Sequence, residues 1–362
     1  MSWEIIPASS QFQSSREDWD ALNRNLGNNI LLDSEFVGAL LHHFGNDGVY
    51  LGISTDTKNQ GMALLARTRW GSWETFQPSQ APMGLILLGS RDQNGDNLLE
   101  LVRSLPGYAL QCAALHQDPD FSSLPVSPQW PCMEFLDYIQ TGSLTIGGTF
   151  EEYWESRTAD LKRNNARRHR RIAEQGHKLE LTVHSDPDAV PACIREYGRL
   201  ESQGWKGQQG TAVGQDNAQG RFYQDVMTMF CSRKEGLIFE LRLDGTPIAS
   251  ELWIGRHGML VNLKTTYDEN LKQFSPGFLM KEALLRNVFD QQKWHVLEFY
   301  GRVMDWHLKW INRTRTLYHV NCFRNRWVLS ARNTAKRLLR TSASERVRTG
   351  KEPEVKPNGE AH

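Results

Sequence analysis

The sequence shows no excess of either charge, no long apolar run and no paired cysteines, and each absence removes a class of function. Its 42 lysines and arginines balance 42 aspartates and glutamates over 362 residues. No global field therefore draws the molecule onto nucleic acid or membrane, and any such attraction must be local. No stretch of about 18 apolar residues occurs, which excludes a membrane-spanning helix. The start, Met1-Ser2-Trp3-Glu4-Ile5-Ile6-Pro7, lacks a basic region ahead of an apolar core, so no secretory leader is expected. The five cysteines, Cys112, Cys132, Cys193, Cys231 and Cys322, are odd in number, scattered and without a C-x-x-C pair. That usage predicts free thiols in a reducing cytoplasm. Neither H-E-x-x-H nor a Cys/His cluster at ligand spacing is present, so no metal is expected. The absence of a G-x-S-x-G elbow argues against a serine hydrolase.

What remains is an ordinary globular composition, 39% hydrophobic, 10% aromatic and 23% charged, in a chain long enough for two domains of about 100–200 residues. The first 145 residues read as a separate α/β unit, with helices near Glu17–Asn25, Ser34–Phe44 and Asn97–Leu105, strands near Val49–Ile53, Met62–Arg67 and Tyr108–Leu115, and an apolar run, Met83–Leu88. Thr149-Phe150-Glu151-Glu152 is a capping-box pattern that predicts one long helix ending near Gly176. A strand over Lys178–His184 and a helix from Asp186 to Gln203 follow. Asp244-Gly245 sits between two apolar runs, a short hairpin signal. A second turn at Gly255–Gly258 makes three antiparallel strands ending at Leu263-Lys264-Thr265-Thr266-Tyr267-Asp268-Glu269. Ser275-Pro276-Gly277 then opens a helix to about Gln291, with Ser as cap and Pro at its first position. Next come a strand at His295–Gly301, a strand at Thr314–Val320 and a basic helix from Phe323 to Arg340. Residues 341–362, polar with Pro and Gly, read as a disordered tail.

The ordered phrases Leu200-Glu201-Ser202-Gln203-Gly204-Trp205-Lys206-Gly207, Ile248-Ala249-Ser250, Lys264 to Glu269, Ser275-Pro276-Gly277 and Glu298-Phe299-Tyr300-Gly301 with Asp305, Lys309 and Trp310 resemble the GNAT acyltransferase superfamily. Their wording is similar to its branch linked to cellulose and exopolysaccharide biosynthesis (CelD-like), itself similar to the FemAB-like double-GNAT proteins. The resemblance covers about residues 145–325. It implies tandem GNAT-like domains, 1–145 and 146–340, each a mixed, largely antiparallel sheet flanked by helices. It further implies a cytoplasmic N-acyltransferase, peripheral to the inner face of the membrane at most. Such an enzyme would use acetyl-CoA or another acyl-CoA, without a metal, and act on a saccharide or cell-envelope precursor. The sequence departs from most of the superfamily in lacking the Gln/Arg-x-x-Gly-x-Gly/Ala loop that holds the coenzyme A pyrophosphate.

Acyl transfer needs a cradle for the carrier's phosphates, donors for the developing oxyanion, a base for the amine and a proton for the leaving thiolate. The amides from Ser275 through Gly277 and Phe278 to Leu279, at a helix N-terminus, are the expected cradle, with Lys264 beside them. The end of the strand at Leu263–Thr265 is the expected oxyanion donor, as the resemblance implies. Tyr267 is the candidate proton donor to the thiolate, and Glu201 and Asp268 are candidate bases. Trp205, Lys206, Glu298 and Lys309 are candidate substrate contacts, with ion pairing to the lysines the alternative role for Glu298. The run Lys162 to Arg171 carries six basic residues and no acidic one, and predicts either a solvated face or an anionic partner such as coenzyme A phosphate, an anionic membrane or tRNA. Two rival readings follow: a FemAB-like aminoacyl-tRNA-dependent transferase, and a catalytically silent binding protein of an exopolysaccharide assembly.

Overall fold

The computed structural model describes residues 3–56, 60–89, 95–122, 124, 130–204, 213–214 and 216–349, with side chains through 338. Strand β1 (Trp3–Pro7) leads into helices α1 (Ala8–Gln11), α2 (Arg16–Asn25) and α3 (Ser34–Phe44), then strands β2 (Val49–Ser54), β3 (Gly61–Arg69), β4 (Ser72–Thr75) and β5 (Ile86–Leu88). Helix α4 (Asp96–Ser104), β6 (Gln111–Gln117) and the long β7 (Met133–Thr145) close the first part. The second part runs α5 (Phe150–Glu155), α6 (Ala159–Glu174), β8 (Leu179–His184), α7 (Val190–Ser202), α8 (Ala218–Ser232), β9 (Gly236–Leu243), β10 (Thr246–Arg256), β11 (Met259–Tyr267), α9 (Pro276–Gln291), β12 (Val296–Phe299), β13 (Arg313–Phe323) and α10 (Arg326–Thr349).

The thirteen strands among the described residues form one sheet, ordered β1-β2-β3-β4-β6-β13-β7-β12-β11-β10-β9-β8, with β5 on β3. The order contains the same pattern twice. β1 to β4 are antiparallel neighbours, β4 runs parallel to β6, and β6 pairs antiparallel with β13. β8 to β11 are antiparallel neighbours, β11 runs parallel to β12, and β12 pairs antiparallel with β7. The last strand of each pattern comes from the other part of the chain, and β7 and β13 pair with each other at the centre. This repeat of topology has no counterpart in the letters, because an antiparallel ladder constrains alternation and turn chemistry rather than residue identity.

A core built from Phe36, Leu40, Tyr197, Phe222, Val226 and Phe230 joins α3 to α7 and α8 across the two parts. Asp33 adds a charged link by accepting from both Arg256 (2.7 Å) and Arg233 (3.2 Å). On the opposite face α5, α6 and α9 cover the second part, and α4 covers the first.

The expected single helix from Thr149 to Gly176 is two helices. The capping box at Thr149 is present as read, but α5 ends at Glu155, and Thr158 caps α6 by accepting from Leu161 N–H. A second Ser/Thr-type cap a few residues after the first stops one helix and starts another. Helix α10 continues to Thr349 instead of ending at Arg340. Residues 341–349 contain no Pro or Gly, and the first breaker is Gly350.

Candidate functional site

The parallel pair β11–β12 is short. Met259, Leu260 and Val261 pair with Val296, Leu297 and Glu298, and beyond Val261 the two strands part. Just there β11 carries a bulge: Asn262 pairs with Trp253 and Lys264 with Leu252, leaving Leu263 as the extra residue. A bulge disrupts the ladder and re-aims its neighbours, and Asn262 to Thr265 line a cleft of about 480 Å³. Its other walls are Lys281, Phe299 to Arg302, Trp306 and His307 from the second part, and Ser79 to Pro82, His116 and Tyr138 from the first.

Two lysines face this space, and each has a buried carboxylate behind it. Lys264 Nζ lies 3.2 Å from Glu201 Oε2 and 3.2 Å from Gln219 Oε1, with the rings of Tyr223 and Tyr197 beside it. Glu201 is buried and also accepts from Val213 N–H at 2.7 Å. With Lys264 and an amide donating to it, Glu201 is placed as a counter-ion rather than an open base. Lys281, 2% exposed, donates to Glu251, 0% exposed, at 2.9 Å, and Trp253 Nε1 donates to the same carboxylate at 2.9 Å. The Lys281 ammonium also sits 4.8 Å from the Phe299 ring centre.

His307 completes this wall. Its Nδ1 accepts from Met304 N–H at 2.9 Å, which leaves the proton of the neutral ring on Nε2. Burial, helped by the Lys281 charge, pulls its pKa down to about 4. His116 behaves alike across the cleft: burial and His319 lower its pKa to about 4, and its ring stacks on Tyr138 with centroids 4.3 Å apart.

Glu298 lies behind the cleft. It pairs with Arg315 at 2.9 Å, and Arg315 also donates to Asp118 through Nε and Nη2 at 2.8 and 2.6 Å. Burial pushes the Glu298 carboxyl up to about 7 against the pull of Arg315, a guanidinium it shares with Asp118. The ion-pair alternative for Glu298 matches this geometry, although the partner is Arg315 and not a lysine.

The remaining sequence candidates lie further along β11 and at the tip of α9. Tyr267 lies three residues beyond Lys264, about 10 Å along the strand. It is 45% exposed and shares a recess of about 70 Å³ with Glu201 and Glu269. Its ring packs on Gly277, where an added Cβ would meet Cδ1 at 3.3 Å. Asp268 caps a short turn by accepting from Asn270 N–H at 2.8 Å, so its carboxylate is engaged locally.

Ser275 occupies the cap position of α9 but its side chain does not cap it. Its backbone is left-handed (φ 49), and this turns its carbonyl back to accept from Phe278 N–H (3.0 Å) and Leu279 N–H (3.4 Å). Ser275 N–H itself donates to Lys272 O. Of the amides expected to form a cradle, Gly277 N–H alone makes no backbone hydrogen bond among the described residues.

Two cations lie beside this helix tip. Arg168 of α6 and Lys309 sit 4.7 and 5.3 Å from the Phe278 ring centre, next to the positive end of the α9 dipole. Trp205 and Lys206 lie outside the described residues.

Sequence reasoning missed Lys281, Glu251, His307, Asn262 and the wall from the first part. Two signals were available. Glu251 is the one charge between Pro247 and Ile254 in an otherwise apolar or small-residue strand, and Lys281 stands on the apolar face formed by Leu284, Leu285 and Val288. A charge in such a position must be paired, and so marks a buried ion pair.

Residues 161–309 match the family described as an acetyltransferase (GNAT) domain. Among solved structures, FemX aligns with a TM-score of 0.53 at 8% identity, covering 87% of this chain and 98% of that one. The C-terminal domain of a putative lysylphosphatidylglycerol synthetase from Agrobacterium fabrum aligns with a TM-score of 0.51 at 12% identity, covering 87% and 93%. L-PGS from Bacillus licheniformis aligns with a TM-score of 0.49 at 13% identity, covering 86% of this chain and 92% of that one. No curated protein matches the sequence. At 8% and 12% identity the likeness to FemX and to the Agrobacterium fabrum domain is one of fold. The match over residues 161–309 is to an acetyltransferase (GNAT) domain, and it supports a transferase activity for the chain that carries it.

Proposed function

We propose that the protein transfers an acyl group from a phosphate-bearing carrier thioester, acetyl-CoA or another acyl-CoA, to an amine held in the cleft beside Lys264 and Lys281. The observation that carries this reading is the parting of β11 from β12 at the Leu263 bulge, with a charged helix tip at one end of the gap and the cleft at the other. The carrier's anionic groups would lie at the α9 tip against Gly277 N–H, Arg168 and Lys309. Two cations beside a positive helix end repel one another and the dipole, and an anion relieves both. From that tip the route to Lys281 is about 7 Å along the helix, and β11 forms its other side.

In the reaction the amine nitrogen attacks the thioester carbonyl carbon. The carbon–nitrogen bond forms, the carbonyl oxygen becomes an oxyanion, and its collapse breaks the carbon–sulfur bond. The amine gives up one proton and the departing thiolate takes one up. The backbone at the Leu263 bulge and the Lys264 ammonium are the donors nearest the oxyanion. Neutral His307 offers Nε2–H to the bound acceptor and cannot compete with it for charge at neutral pH. Tyr267, about 10 Å from Lys264, belongs to the carrier's path rather than to the reacting atoms.

The acceptor is read as an amine, or as second choice a hydroxyl, of a saccharide or envelope precursor. That reading rests on the sequence resemblance, and the cleft suits it: exposed Trp306 and Tyr138 supply flat apolar faces for a sugar ring, among several polar donors.

A second reading, an aminoacyl-tRNA donor, is favoured by one specific observation. Arg163, Arg167 and Arg170 form an exposed row on α6, spaced at helical-face intervals. Transfer of label from acyl-CoA to a panel of amino sugars, run beside transfer from charged tRNA, separates the two. Label moving from acyl-CoA supports the first, label moving from tRNA alone supports the second, and label from neither removes both.

A further inference from the structure

We propose that His184, Cys193 and Glu240 form a binding site for a zinc-like transition-metal ion at the outer edge of the sheet, away from the cleft. One ligand atom from each, imidazole nitrogen, thiol sulfur and carboxylate oxygen, lies within 4.8 Å of the others. Ligand atoms around tetrahedral zinc stand roughly 3.3–3.7 Å apart, so a small inward shift closes the shell. His184 and Glu240 already sit 3.1 Å apart.

Three separate elements bring the donors together. His184 ends β8, Glu240 lies on the adjoining β9, where it pairs with Thr182, and Cys193 lies on the first turn of α7, which covers them. Because the ligands are far apart in sequence and come from different elements, no spacing pattern announces them. The set of one nitrogen, one sulfur and one carboxylate oxygen suits zinc or cobalt better than calcium or magnesium. His184 is half-buried and provides the way in, while Glu240 and Cys193 are buried.

A divalent ion takes the thiolate and the Glu240 carboxylate as two negative charges, and the thiol proton leaves to water. Arg242 is the present partner of Glu240, with Nε and Nη2 at 3.1 and 2.6 Å, both on Oε2. Glu240 Oε1 makes no hydrogen bond among the described residues and is the oxygen free to bind the ion. Water takes the fourth position at the His184 edge. The consequence reaches the cleft: Cys193, Tyr197 and Glu201 are spaced by four on α7, on one face. Metal at Cys193 would pin the helix whose next turns hold Glu201 against Lys264.

The test is a titration of the full chain, stripped with chelator, with Co²⁺ and then Zn²⁺. The expected result is one equivalent bound with a thiolate-to-cobalt charge-transfer band in the near ultraviolet that zinc bleaches. The band is lost in Cys193→Ser and kept in Cys112→Ser, a buried thiol elsewhere. His184→Ala should weaken cobalt binding at least about tenfold. No charge-transfer band, or a band that survives Cys193→Ser, overturns the proposal. Should Cys193→Ser fail to fold by circular dichroism, unchanged cobalt affinity in His184→Ala overturns it alone.

Discussion

Lys281→Met is the most informative single change, because it removes one half of an ion pair sealed beneath the cleft. The side chains of Lys281 and Glu251 are 2% and 0% exposed. Loss of the ammonium leaves the carboxylate with Trp253 Nε1 at 2.9 Å and Asn262 Nδ2 at 3.4 Å as its remaining donors. Breaking a buried pair on one side costs about 3–5 kcal/mol, since the surviving charge stays desolvated. Two retained donors put the expected loss near the lower end, about 3 kcal/mol, which is roughly a 150-fold change in the folding equilibrium. The stranded Glu251 then has a raised folded-state pKa, so the penalty shrinks as pH falls and the carboxylate takes a proton, and grows again as pH rises through that pKa. Replacing both, Lys281→Met with Glu251→Leu, removes the charge along with its partner and should recover all but about 1 kcal/mol. Urea denaturation at two pH values measures all of this. A single-variant loss below about 1 kcal/mol, or a double variant no better than the single one, would refute the reasoning.

Four further outcomes are expected. Glu298 titrates near 7 when folded against 4.5 ordinarily. The folded state therefore holds a proton that the unfolded state has released, and stability is full below about 4.5 and falls as pH rises through 7, by about 3 kcal/mol. Glu298→Gln should flatten that slope in denaturation curves, and an unchanged slope counts against the assignment. His307, lowered to about 4, contributes stability that is present above about 6.5 and is lost as pH falls towards 4. Its ring protons should show no nuclear magnetic resonance titration between about pH 5.5 and 8, and a midpoint near 6.5 would contradict its burial. Lys264→Met should lower kcat/KM for acyl transfer by about 100-fold, the scale of a lost oxyanion donor, whereas a tenfold or smaller change would place that lysine outside the reaction. Trp306→Ala should raise acceptor KM with kcat little changed, and equal loss in both would argue against a ring-stacking role.

Much of the second part was legible because its signals are local. Asp244-Gly245 and the turn after Arg256 fix three antiparallel strands, and Pro276 to Gln291 is a helix over the residues read. Strands β1, β4 and β7 were not read. β4 is four residues long, too short for alternation to register, and β7 draws its partners from strands more than a hundred residues away as well as from a central position in the sheet. Ser275 read correctly as a cap position and incorrectly as a side-chain cap, since residue type does not reveal a left-handed backbone at a non-glycine. Lys264 was read beside the phosphate cradle, and the structure places it inside β11 next to the Leu263 bulge, with Glu201 behind it. Lys281, His307 and His116 were not read as site residues, because their shared cleft exists only once β11 and β12 part and the first part of the chain closes over the gap.

The central claim is that acyl transfer takes place where β11 leaves β12. A crystal structure of the protein with a non-hydrolysable acyl-CoA analogue tests it most directly. The account predicts the carrier's phosphates beside Gly277, Arg168 and Lys309, with the acyl carbonyl between Leu263 and Lys281. An analogue bound with its acyl end outside that gap, on either face of the sheet, would contradict it.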